Sequence, residues 1–278
     1  MPLAPTGAII GPASAGHRGV GAFNVVQIEH AEAIVAGAER AGLPVILQIS
    51  ENTVRYHGAL APIAAASLSL AAASSAPVAV HLDHAETAEL VHEAVALGFS
   101  SVMFDASRLP YEANLAATRE ITDHCHRAGV WVEAELGEVG GKDGAHAPGV
   151  RTDPEEARAF AAATAVDALA VAVGSSHAML TRDAVLDLDL ITRLRDALGI
   201  PLVLHGSSGV GDEDLVKAVA AGMTKVNIST HLNRLFTRTI RERLAEAPGV
   251  ADPRTYLGPA RQTVATEVER LLGVLAGR

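Results

Sequence analysis

Three histidines stand just past short apolar runs: His84 at the end of His81-Leu-Asp-His84, His177 after Ser175-Ser176, and His205 after Ile200–Leu204. Any one of them is as readily a satisfied, half-buried side chain. Three imidazoles with acids beside them match the ligand set of an open zinc site, which keeps one coordination position for substrate. The acids are Asp83, Asp105, Glu133 and Glu135. Glu133 and Glu135 are two residues apart on one extended segment, so they share its inward face. Two carboxylates there need a cation or a proton to coexist. Glu133 also suits an ordinary ion pair.

A second chemistry is anion binding. His205 runs into Gly206-Ser207-Ser208-Gly209, and the helical pattern Asp212–Ala221 follows. Such a turn offers backbone N–H groups at a helix N-terminus, a natural anion site. The run Asn227-Ile228-Ser229-Thr230 repeats the theme one segment later. Together the two turns predict a phosphorylated substrate held beside the metal.

The elements that must carry these residues alternate. Strands are expected at Gly21–Val25, Val45–Ile49, Val78–Leu82, Ser101–Phe104, Trp131–Leu136, Ala168–Val173, Leu202–Leu204 and Lys225–Ile228. Helical spacing falls between them: Glu29–Ala41 with a Gly42 stop, Ala59–Ser75, Thr87–Leu97 with a Gly98 stop, Tyr111–Ala128, and Leu190–Leu198. Asp153-Pro154-Glu155-Glu156 opens another as N-cap, N1 proline and first-turn acids. Thr230–Glu246 and Tyr256–Leu275 complete the set, and the residues before Gly21 look loose. Eight apolar strands alternating with helices predict an α/β TIM (β/α)8 barrel with an additional C-terminal helix, a single domain over residues 1–278.

In that architecture the active site lies where strands finish. Their ends supply Asn24, Ser50, Asp83, His84, Asp105, Ser107, Glu133, Glu135, Ser176, His177, His205, Asn227, Ser229 and Thr230. His81 lies inside its strand and reads as core or as support behind a ligand. His17, His30, His57, His92, His124, His126 and His146 lack partners at ligand spacing and are expected on the surface. Gly137 to about Thr152 is long for a strand-to-helix connection and is a candidate lid.

Composition narrows the function classes. A chain of 278 residues, 49% hydrophobic, can bury a large core. Its net charge of -10, with dispersed Lys and Arg, offers no stripe for nucleic acid, so a small molecule is the expected partner. One cysteine, Cys125, excludes an internal disulfide, and no basic segment leads into an apolar one at the start, which points to the cytoplasm. No uninterrupted 18-residue apolar span predicts a membrane segment. The helix beyond the eighth unit suggests a homodimer or homotetramer.

The residues resemble a known family. Gly-Ala-Phe-Asn at 21–24, His-Leu-Asp-His at 81–84, Phe-Asp-Ala-Ser at 104–107, Glu-Ala-Glu-Leu-Gly at 133–137, Thr-Asp-Pro-Glu-Glu-Ala at 152–157, Leu-His-Gly-Ser-Ser-Gly at 204–209 and Asp-Pro-Arg at 252–254 look like blocks of class II, metal-dependent ketose-bisphosphate aldolases. The resemblance implies Zn2+ on His84, His177 and His205, and a second divalent or a monovalent cation at Asp105 and Glu135. It implies acid/base work by Asp83 and a dihydroxyacetone-phosphate site at Gly206, Ser207, Ser208, Gly209, Asn227, Ile228, Ser229 and Thr230. Asn24 and Ser50 are expected to touch substrate.

By the same resemblance zinc would polarise the ketone so that a neighbouring C–H can be deprotonated, and the carbanion would add to an aldehyde. The family places the base, a glutamate, on a mobile loop. Here Lys142 takes that place, so Asp143 is the expected base and Glu138 the alternative. Ala85 and Ala178 stand where the family carries Gly, His231 where it carries an acid, and Glu51-Asn52-Thr53 replaces a small glycine-bearing turn. Two other functions compete: a non-catalytic aldolase-like partner subunit, which would not need the histidines or Asp83, and a metal-dependent sugar-phosphate epimerase or isomerase using the same enediolate.

Overall fold

The computed structural model describes residues 3–136, 151–176 and 181–278. Eight parallel strands close into a barrel in chain order: β1 (Val20–Asn24), β2 (Val45–Ser50), β3 (Val78–Ala85), β4 (Ser101–Phe104), β5 (Trp131–Glu135), β6 (Ala168–Ala170), β7 (Leu202–Leu204) and β8 (Met223–Ile228). β1 closes on β8 with Ala22 opposite Asn227. Outside lie α1 (Thr6–Ala15), α2 (Ile28–Ala41), α3 (Glu51–His57), α4 (Ala61–Ala73), α5 (Ala88–Leu97), α6 (Tyr111–Arg127), α7 (Pro154–Thr164), α8 (Leu188–Leu198), α9 (Asp212–Ala221), α10 (Thr230–Glu246) and α11 (Arg254–Leu275). This is the expected TIM barrel with its additional helix.

Local chemistry sets the boundaries. Gly42 and Gly98 end α2 and α5 in the left-handed conformation, where glycine carries no Cβ penalty. Asp153 caps α7, accepting from Glu155 N and Glu156 N at 3.0 Å, with Pro154 at the first helical position. No single described helix is long and apolar enough to cross a membrane.

Several expectations change. The start of the chain is not loose: α1 packs Ile9, Ile10 and Ala13 against Val20, Ala22, Ile46 and Ala79, closing the N-terminal end of the barrel. Burial of that apolar face overrides the breaking signals of Gly7, Gly11 and Pro12. The single helix expected over 59–75 begins at Ala61 and is preceded by α3, which Ser50 caps by accepting from Thr53 N. β3 runs three residues further than expected and carries Asp83 and His84 within it, while β6 stops at Ala170.

The additional helix α11 is held against the barrel from within the chain. It packs on α2 and α10, and a Cβ at Gly37 would lie 2.7 Å from Ala265 O. Gly19 N donates to Leu275 O at 2.8 Å, tying α11 to the residues just before β1. Most apolar burial lies between strands and helices. The barrel interior also carries fully buried Gln48, His81, Ser101, Glu133 and Lys225.

Candidate active site

β3 delivers the first imidazole by an irregularity. Its pairing with β4 shifts register between Leu82 and Ala85, and His84 sits at φ +50°. A non-glycine residue held in the left-handed region costs of order 1 kcal/mol and persists only where the surroundings fix it. Here the fixing contact is Asp105 Oδ2, 2.7 Å from His84 Nδ1. The second imidazole, His205, follows β7 and is fully buried. Its Nε2 lies 2.9 Å from Glu133 Oε1, and its Nδ1 lies 2.9 Å from His84 Nε2.

These contacts define a donor set. A carboxylate only accepts, so Nδ1 of His84 and Nε2 of His205 each carry the proton that meets their acid. The other nitrogen of each neutral ring is then a lone pair, and the two lone pairs face one another. Two acceptors at that separation repel unless a proton or cation lies between them. Glu135, also fully buried, reaches within 4.0 Å of His84 Nδ1 and 3.9 Å of His205 Nδ1. Ligand atoms of Asp83, His84 and His205 lie within 4.8 Å of one another, as do those of His84, Asp105 and Glu135. Nitrogen and carboxylate donors in this arrangement suit zinc.

Asp83 is oriented from two sides. Asn24 Nδ2 donates to Oδ2 at 2.8 Å, Gln48 Nε2 steadies Asn24 Oδ1 at 2.9 Å, and Asn227 Nδ2 reaches Oδ1 at 3.5 Å. Burial pushes its carboxyl upward, but His84, His205, Lys225 and the Asn24 hydrogen bond together hold it below the ordinary value. Asp83 is therefore a carboxylate within reach of a proton at the cavity. Below it, Lys225 Nζ pairs with Glu133 Oε2 at 2.8 Å and donates to Asn227 Oδ1 at 2.9 Å. His81 bonds Ser101 Oγ through Nδ1 at 2.8 Å, and burial first, then Lys225, keeps it neutral.

A cavity of about 180 Å³ opens above this cluster. Asp83, His84 and Asn24 form one wall, and Ser50 with Asn52 another. Gly206, Ser208, Ser229 and Thr230 form its opposite rim. Gly206 has φ +67°, and a Cβ there would come within 2.5 Å of the Ser176 carbonyl, so the turn requires glycine. Residues Ser207–Gly209 make one 3-10 turn, and Ser207 Oγ donates to Asn227 O. Ser208 Oγ accepts from Ser229 N at 3.3 Å and His231 N at 3.2 Å, occupying the first N–H groups of α10.

The helix behind the turn is not the anion end. α9 begins Asp212-Glu213-Asp214, and Arg182 and Arg270 are bound to Asp212. The first turn of α10 holds no acid. His231, which stands where the family carries an acid, pairs its Nε2 with Glu267 Oε1 at 2.7 Å. Glu267 is partly buried, which raises its carboxyl, but Arg270 and His231 bring it down to about 2.

Of the sequence-predicted residues, Asn24, Ser50, Asp83, His84, Gly206, Ser208, Asn227, Ser229 and Thr230 line this one cavity. Asp105, Glu135 and His205 lie directly beneath it. Ile228 is buried and offers only its backbone. Asn227 turns its side chain to Asp83, His205 and Lys225 rather than to the rim. His177, Glu138, Lys142, Asp143 and the lid expected from Gly137 fall outside the described residues. Gln48 and Lys225 were missed. Each lies two residues before a residue that sequence reasoning chose, Ser50 and Asn227, so two-residue alternation along the strand would have found them.

A family model described as fructose-bisphosphate aldolase class-II matches residues 4–277. The chain belongs to that family. It is therefore a carbon–carbon lyase, and the non-catalytic alternative falls away. It is 38% identical over 272 residues to the fructose-bisphosphate aldolase of Geobacillus stearothermophilus, covering 96% of this chain and 95% of the relative. Its fold is similar to the YdjI aldolase from Escherichia coli K12, with TM-score 0.86, 30% identity, and coverage of 98% and 97% of the two chains. The fructose-bisphosphate aldolase of Campylobacter jejuni gives TM-score 0.79 at 25% identity, covering 96% and 93%.

Proposed function

We propose that this class II aldolase cleaves, and in reverse condenses, a phosphorylated ketose of the 1,6-bisphosphate type into dihydroxyacetone phosphate and an aldehyde, with a zinc ion on His84, His177 and His205. The observation that carries this reading is the approach of two imidazole nitrogens, His84 Nε2 and His205 Nδ1, 2.9 Å apart beside the Asp83 carboxylate. Zinc bound there would polarise the ketone carbonyl and stabilise negative charge developing on its oxygen.

The chain's own residues supply the rest. Asp83, oriented by Asn24 and Asn227, takes the proton from the substrate hydroxyl at the carbon released as aldehyde, and returns it in condensation. The phosphate is held at the opposite rim by backbone N–H groups of the 3-10 turn and the hydroxyls of Ser208 and Thr230, aided by the dipole of α10. Asp143 moves the carbon-bound proton of the dihydroxyacetone-phosphate half. Asp105 and Glu135, grouped with His84, offer a position for a second divalent or a monovalent cation.

The test is a panel of ketose phosphates incubated with chelator-treated protein, before and after zinc is restored, with triose phosphate release as the readout. Activity restored by zinc on a phosphorylated ketose is expected. Full activity in metal-free protein refutes the zinc assignment, and epimerised sugar phosphate without triose phosphate refutes the cleavage.

A further inference from the structure

We propose that Glu133 is a positioning residue for the metal ligand His205, fixing which ring nitrogen faces the metal, and that Lys225 is the buried counter-charge that keeps Glu133 available for this. The inference rests on the zinc reading above and concerns residues that touch neither substrate nor metal.

The contacts at His205 Nε2 conflict. Glu133 Oε1 lies 2.9 Å away and can only accept, whereas Asn227 Nδ2 lies 3.1 Å away and can only donate. A protonated Nε2 satisfies Glu133 and opposes Asn227; a bare Nε2 does the reverse. The hydrogen bond to a charged carboxylate is about twice as strong as one between neutral groups, so Glu133 decides the tautomer. The proton goes to Nε2 and the lone pair to Nδ1, the nitrogen that faces His84. Without Glu133, the acceptor at Nε2 is lost while the Asn227 amide still donates there, which favours the inverted tautomer, with a proton then on the metal-facing nitrogen.

Lys225 makes the arrangement tenable. Glu133 is fully buried on a barrel strand, and the Lys225 ammonium, equally buried, lies 2.8 Å from its other oxygen. The same ammonium binds Asn227 Oδ1 at 2.9 Å, which turns the Asn227 NH2 toward His205 and Asp83. His81 Nε2 lies 3.7 Å from Glu133 Oε2, and its ring is anchored through Ser101 to Thr6 of α1. Carboxylate partners of metal-bound histidines typically change metal affinity 10- to 100-fold when removed.

The test uses the full chain and two paired variants that remove the buried ion pair whole, since stranding one charge is far more destabilising than losing both. In Glu133→Met/Lys225→Met the carboxylate acceptor at Nε2 is gone. In Glu133→Gln/Lys225→Met the amide oxygen still accepts there. The first readout is the His205 tautomer in metal-free protein at about pH 8, from long-range ¹H–¹⁵N spectra assigned with a His205→Asn variant. The second is zinc affinity by competition with a chromophoric chelator.

Wild type is expected to show the Nε2–H tautomer, and the Gln/Met pair, whose neutral amide only matches the neutral Asn227 amide, a mixture of both tautomers and an intermediate affinity. The Met/Met pair is expected to show Nδ1–H and an affinity about 10- to 100-fold weaker. An unchanged tautomer and affinity in a folded Met/Met pair overturns the inference. Should that pair not fold, a fully wild-type tautomer and affinity in the Gln/Met pair overturns it instead. Wild-type protein that binds no zinc overturns the metal reading itself, and that failure is seen before any variant is compared.

Discussion

His30 was expected on the surface and is instead 4% exposed, stacked on Phe236 with ring centroids 4.6 Å apart. Neither ring nitrogen meets a hydrogen-bond partner among the described residues. Burial lowers its pKa from 6.5 to about 4, with only partial opposition from Glu29. In the unfolded chain the group takes its proton near pH 6.5, and in the folded chain not until about pH 4. The unfolded state therefore binds more protons across that window, and stability falls as pH drops through it.

The shift from 6.5 to about 4 at about 1.4 kcal/mol per pH unit gives a full penalty of about 3 kcal/mol, of which about 2.5 kcal/mol is present at pH 4.5. His30→Met keeps the volume and removes the group. Urea unfolding of chelator-treated wild type and variant should give a stability difference that moves in the variant's favour by about 2.5 kcal/mol between pH 7.5 and pH 4.5. The double difference cancels every other titrating group. A difference that stays constant across that range would show that His30 finds a proton or a partner when folded.

Asp83→Asn should lower kcat roughly 100- to 10,000-fold with zinc content intact, measured by triose phosphate release and metal analysis; near-normal kcat removes Asp83 from the chemistry. Asp143→Asn should do the same if it is the base, provided the chemical step limits turnover, and an unaffected rate passes the role to Glu138. Ser208→Glu places a carboxylate against Ser229 N and His231 N, so KM for a phosphorylated ketose should rise at least about 10-fold through like-charge conflict of a few kcal/mol. An unchanged KM moves the phosphate elsewhere. Gly206→Ala forces a Cβ into the Ser176 backbone at positive φ, so denaturant melts should show a loss of about 1–3 kcal/mol, and a neutral result would mean the turn shifts freely.

Eight strands were legible because each is buried on both faces and so reads as a short apolar run between glycine stops, as Val45–Ile49 and Gly42 show. The site was legible because barrel strands deliver their polar residues at one end. What escaped has local causes. α1 carries two glycines and a proline that signal irregular chain, and only its fit against Ile46 and Ala79 makes it a helix. Gln48 and Lys225 lie inside the barrel, where an isolated polar residue in an apolar strand looks like noise until its partner on another strand is known. His30 sits on a helix whose polar neighbours hide that its own position faces Phe236.

The seam between α2 and α11 carries a consequence for how the chain acquires its shape. Gly37 admits the α11 backbone so closely that no side chain fits, and Ala31, Ile34 and Ala38 of α2 are fully buried in the finished molecule. Yet α11 lies far downstream of α2, and β1 likewise waits for β8. On a ribosome, where chain emerges at about 5–20 residues per second, the first units stand with an apolar stripe and an open sheet edge until the last ones arrive. Slowing translation late in the message should therefore raise aggregation more than slowing it early.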